Sequence, residues 1–168
     1  MDAPTLFQRN IFLIRQKILA IGSSYDIMDE RGETIGIAKS EILTLGPKIA
    51  VKDLLGNTLI RIEGNVLRTK FTVSDQFGNR IAVTKMPKFS LKPKLDLESS
   101  TGELLLRSEG KLFAHDFELK DGTGNTVAKM HKKWRSFTDS YALEILGEID
   151  PRLALSYPLI VDAIYHRR

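Results

Sequence analysis

The sequence contains no cysteine in its 168 residues. A disulfide framework, a thiolate nucleophile and a cysteine-ligated zinc site are therefore excluded. Histidine is nearly as scarce: His115, His131 and His166 stand at no spacing that suits a metal-ligand set. No window holds the roughly 18 uncharged apolar residues of a membrane-spanning helix. At the N-terminus Asp2 is acidic, and Arg9, Arg15 and Lys17 break up the apolar core that an export signal needs. A large excess of charge of one sign is missing too. The net charge of +4 favours anionic partners mildly and falls well short of the basic face of a dedicated nucleic-acid binder. The expectation is a soluble cytoplasmic chain, peripheral at a membrane if it meets one. Apolar and charged fractions of 42% and 27% are those of a globular protein, and the length suits one domain over 1–168.

What the sequence does have is a repeat. YDIMDERGETI, IAVKDLLGNTL, FTVSDQFGNRI, LDLESSTGELL and FELKDGTGNTV each place an alternating apolar run before and after an Asp-x-x-Gly turn. The fourth copy substitutes Ser99 or Ser100 for the Asp. Gly32, Gly56, Gly78, Gly102 and Gly124 recur every 22 or 24 residues, the mark of a repeated supersecondary unit. Asp opens a type I turn by accepting backbone N–H groups, and Gly three residues later takes the positive φ that closes the hairpin with a bulge. Aspartates at hairpin tips have no reason to converge into a catalytic or metal site. Five hairpins give ten strands, and IFLIRQKILA (residues 11–20) and SFTDSYALEIL (136–146) read as two more. Twelve antiparallel strands joined by tight turns most simply close into a barrel, which removes their edges.

After Gly147 the pattern changes. Asp150-Pro151 is a helix start, with Asp as cap and Pro at the first helical position. From Leu153 to Tyr165 apolar residues cover every side of the helical projection, so this helix is buried or membranous. Thirteen residues reach only about 20 Å, against a bilayer core near 30 Å. Pro158 removes a backbone bond, and Asp162 is costly in lipid. The predicted architecture is mainly β: a closed antiparallel barrel of about twelve strands around a buried C-terminal helix over about 151–166. Asp162 must then be hydrogen-bonded or paired inside it, fixing the helix's register.

Four segments, in this order, resemble the LURP-one-related family, within the superfamily of tubby C-terminal domains and phospholipid scramblases. They are ILAIGSSYDIMDERGE from Ile18, TLGPKIAVKDLLGN from Thr44, SLKPKLDLES from Ser90, and FELKDGTGNTVAKMHKKWRSFTDSYALEILGEIDPRLAL from Phe117. The resemblance runs from Ile18 to Tyr165. It implies a barrel around a hydrophobic central helix. By analogy with tubby domains it also implies binding of phosphoinositide headgroups through surface lysines and arginines. An acidic calcium-binding segment like that of scramblases has no counterpart here, which sets lipid scrambling behind simple binding.

Two basic segments are the candidate anionic-ligand sites. In R80IAVTKMPKFSLKPK, Arg80, Lys85, Lys88, Lys92 and Lys94 occur without an acid. Met86-Pro87 and Phe89 form a connection that could present cations around an aromatic at a membrane interface. The plainer reading is solvated strand faces. In K129MHKKWR, Lys129, Lys132, Lys133 and Arg135 surround Trp134, which could stack on a base or a lipid headgroup but more simply plugs a barrel mouth. G122TGN lies in a hairpin turn with no helix after it and is no phosphate loop. Ser136, Ser140 and the histidines suggest no triad. The sequence thus reads as a non-enzymatic module without cofactor or metal. It would bind an anionic phospholipid headgroup or, as the opposing class, act as a structural or regulatory protein-interaction module.

Overall fold

The computed structural model describes residues 4–18, 22–41, 44–86, 93–132 and 140–165. Twelve strands follow in chain order: β1 (Ile11–Ile18), β2 (Ser23–Met28), β3 (Thr34–Ser40), β4 (Lys48–Asp53), β5 (Thr58–Gly64), β6 (Phe71–Asp75), β7 (Arg80–Lys85), β8 (Asp96–Glu98), β9 (Leu104–Lys111), β10 (Asp116–Lys120), β11 (Thr126–His131) and β12 (Ser140–Ile145). Each pairs with its sequence neighbour, and β12 pairs with β1 to close the barrel. A single helix, α1 (Pro151–Tyr165), follows.

The five repeated turns behave as their chemistry demands. In the second, the Asp53 carboxylate accepts from the N–H of Leu55 at 3.0 Å and of Asn57 at 2.9 Å, and Gly56 takes φ +87°. The other Asp turns repeat this at Asp29, Asp75 and Asp121. In the fourth copy Ser99, not Ser100, does the work, accepting from the Glu103 N–H. The register slips by one residue before each turn, as between Val51 and Lys52. Strict alternation misses this bulge, which buries both Leu59 and Ile60.

These turn carboxylates carry a pH dependence. Asn57's side chain and backbone N–H hold Asp53 below its ordinary value of 3.8. Asp121 is lowered first by the Thr123 hydroxyl and then by backbone N–H groups. A folded-state pKa below the unfolded one gives stability that is present above the unfolded pKa and lost as pH falls through the folded one. Urea titrations at pH 5 and pH 3 should therefore show a larger loss for the parent than for an Asp53→Asn/Asp121→Asn variant.

All five turns lie on one rim, here the turn rim. β12 runs back to it, with Leu146 N–H donating to Val127 O beside the fifth turn, so α1 starts there. Asp150 caps it, accepting from the Arg152 N–H at 3.0 Å. The helix then runs through the barrel to the opposite rim. There Arg68 donates to the Ala163 carbonyl, and the Phe113 ring meets Tyr165 edge-on at 4.6 Å. Leu153, Leu155, Tyr157, Leu159, Ile160, Val161 and Ile164 are buried among inward strand residues such as Phe12, Ile62, Phe71, Leu97 and Leu143. Among the described residues no helix is long and apolar enough to cross a membrane.

Candidate functional site

Among the described residues, the outer wall of the barrel over β3 to β7 carries a row of cations. Register sets Lys39 of β3, Ala50 of β4, Arg61 of β5, Ser74 of β6 and Arg80 of β7 in one outward row. Arg61 and Arg80 stand two strands apart, about 10 Å at the usual spacing, with the Ser74 hydroxyl between them. They line an open depression of about 770 Å³ with Lys70, Thr72 and one acid, Glu63. Arg61 reaches Glu41 at 3.8 Å. Arg80 and Lys70 make no ion pair among the described residues. The arrangement offers forked and point-charge donors with a hydroxyl, the donor set that phosphate oxygens accept from.

Among the described residues, Arg80 is the one sequence-predicted candidate that enters this depression. Lys85 lies at the other end of β7 and reaches Glu98 at 3.8 Å. Lys94 is exposed beside a separate depression of about 840 Å³ next to the 3₁₀ turn Leu112–Ala114. The other cations of that depression are largely engaged: Asp96 holds Arg107 bidentately at 2.9 and 2.7 Å, and Lys120 lies 3.6 Å from Glu109. Lys129 faces Glu118 at 3.5 Å on β11, four strands round the barrel from β7, and Lys132 is exposed at the end of that strand. Lys88, Lys92, Lys133, Arg135, Pro87, Phe89 and Trp134 lie outside the described residues. The described cations of the two basic segments therefore do not come together in one site. Lys39, Arg61 and Lys70 join Arg80 only through strand register; in sequence they are lone outward cations in three different hairpins.

Inside the far rim sits the polar cluster that answers for Asp162. Its carboxylate lies 2.6 Å from His115 Nε2, and its charge reaches the Tyr25 phenol. With the carboxylate as acceptor, the imidazole N–H donates to it. Burial, then the Asp162 charge, pushes the Tyr25 phenol up, so it stays a donor. His115 takes φ +52° and stacks on Tyr141 at 3.8 Å between centroids. Histidine is among the few non-glycine residues that favour that conformation. A cavity of about 250 Å³ opens beside this cluster, lined by Ser23, Ser40, Arg68 and Asp162 among others. The cluster ties α1 to the turn after β9, which is the structural role expected of Asp162.

No curated protein matches the sequence. Among solved structures, the X-ray structure of a protein from Arabidopsis thaliana matches with a TM-score of 0.64 at 17% identity, covering 95% of this chain and 93% of that one. At that identity the likeness carries the fold alone. The sequence profile of the LURP-one-related family matches residues 10–162, which takes in all twelve strands and α1 as far as Asp162. The chain belongs to the LURP-one-related family.

Proposed function

We propose that the protein is a non-enzymatic binding module whose basic wall takes a phosphate-bearing anion, the headgroup of an anionic phospholipid. The observation that carries this reading is the Arg61–Ser74–Arg80 row, completed by Lys70 in the same depression. Seven cations, Lys39, Lys48, Lys52, Arg61, Lys70, Arg80 and Lys85, lie on or beside the outward face of β3 to β7. Such a face draws in an anionic leaflet, whereas the polar interior cluster is occupied with holding the helix. The binding is at a surface and peripheral, in keeping with a cytoplasmic module.

Co-sedimentation with vesicles of phosphatidylcholine, alone or mixed with anionic phospholipid, tests it across a salt series. Binding should need the anionic lipid and weaken with salt. Each cation near an anionic leaflet contributes about 1 kcal/mol. An Arg61→Glu/Arg80→Glu variant should therefore bind at least about tenfold more weakly. A Lys88→Glu/Lys92→Glu variant separates the wall from the connection between β7 and β8. A soluble inositol phosphate that competes would show the headgroup alone suffices. Equal binding to neutral and anionic vesicles, or none to either, would sink the headgroup reading and leave the protein-interaction module as the alternative.

A further inference from the structure

The five repeat turns share one geometry, so the two residues between Asp (or Ser) and Gly are free of any structural demand. Turn positions of this kind are normally polar. In three turns they are: Glu30-Arg31, Ser100-Thr101 and Gly122-Thr123. In the other two they are Leu54-Leu55 and Gln76-Phe77. Leu54, Leu55 and Phe77 are 63%, 88% and 64% exposed. These two turns are neighbours: β5 pairs with β6, and Ile60 opposite Asp75 puts both tips beyond the same rim. At β4 to β7 the turn rim thus carries an apolar wedge of three side chains, directly below the basic wall; the other exposed large apolar residue described at this rim is the single Leu146 beside the fifth turn.

We propose that these two turns insert into the acyl boundary of a membrane whose anionic headgroups the basic wall contacts. The proposal rests on the headgroup reading and adds to it the orientation of the barrel and the residues that enter lipid. Charge complementarity and depth select this occupant. Lys52 is two or three residues from Leu54 and Leu55, and Arg80 is three from Phe77. At about 3.3 Å per residue this places cations some 7–10 Å behind the tips. Interfacial segments bury their apolar side to about 5–10 Å, with basic residues at headgroup level. Asp53 and Asp75 lie in the same layer, but both carboxylates are engaged by the N–H groups of their own turns.

The absence of cysteine makes the test direct. Single Leu55→Cys, Phe77→Cys and Thr101→Cys variants of the full chain each take one environment-sensitive fluorophore. They are mixed with phosphatidylcholine vesicles containing phosphatidylserine, with and without an acyl-chain quencher. Labels at 55 and 77 should brighten severalfold, shift to the blue and be quenched from within the bilayer. The label on the fourth turn, at 101, should do neither. Separately, an L54S/L55S/F77S variant should bind these vesicles about 10- to 100-fold more weakly while keeping its salt dependence. If the parent binds but the labels at 55 and 77 stay in water, or the triple serine variant binds like the parent, insertion is overturned and the headgroup reading survives. If the parent binds no vesicle, both are overturned.

Discussion

Removal of residues 151–168 is expected to leave an insoluble or unfolded chain. α1 is the core of the barrel rather than an addition to it. Seven of its side chains, Leu153, Leu155, Tyr157, Leu159, Ile160, Val161 and Ile164, are buried. At about 1.5–3 kcal/mol for each large apolar side chain, the helix contributes roughly 10–20 kcal/mol of burial. That equals or exceeds the about 5–15 kcal/mol net stability of a typical domain. The loss is compounded because Phe12, Ile62, Phe71, Leu97 and Leu143 would line an empty lumen. Solubility after expression and the dispersion of amide signals in an NMR spectrum measure the outcome. A synthetic peptide of residues 150–168 added during refolding should restore signal dispersion. A truncated chain that stays folded would show that the strands are self-sufficient and would overturn the account of the core.

His115→Leu should be the most damaging single substitution at the far rim, costing about 1–3 kcal/mol. Removing one partner of a buried hydrogen-bonded pair leaves the other unsatisfied. Asp162 and His115 are only 5% and 4% exposed, so little of either group meets bulk water. Asp162→Asn keeps an acceptor for the imidazole N–H and should cost about 1 kcal/mol. The informative variant is His115→Leu/Asp162→Leu. With both polar groups gone no buried polar group is left unsatisfied, so the double variant should be more stable than His115→Leu alone. Urea midpoints of the parent, His115→Leu, Asp162→Leu and the double variant complete the cycle. If the double variant loses the sum of the two single effects, the two residues are not coupled and the pair does not hold the helix.

Much of this molecule is written in local signals. The Asp-x-x-Gly turns depend on a carboxylate and a glycine a few residues apart. Gly32, Gly56, Gly78, Gly102 and Gly124 accordingly all take φ between +82° and +88°. Even strand number and nearest-neighbour pairing are local, since each strand pairs with its sequence neighbour. Helix burial follows from composition, because apolar residues on every side of α1 leave no face for water. The bulges that bury Leu59 beside Ile60 are less legible, since they break the alternation they interrupt.

The two functional features belong to another class. Arg61 and Arg80 are separated by two strands and a turn, and only the register through Ser74 makes them neighbours. Nor does sequence show that Leu55 and Phe77 share a rim while the connection carrying Lys85 to Lys94 starts from the other. His115 and Asp162 are 47 residues apart, and no local pattern joins them. By itself, then, the sequence determined the turns, the strands, the buried helix and the need for a partner at Asp162, because each rests on interactions within a few residues or on composition. Tertiary structure alone decided which cations share a wall, which tips share a rim and which residue answers Asp162, because closing the barrel is what brings distant hairpins together.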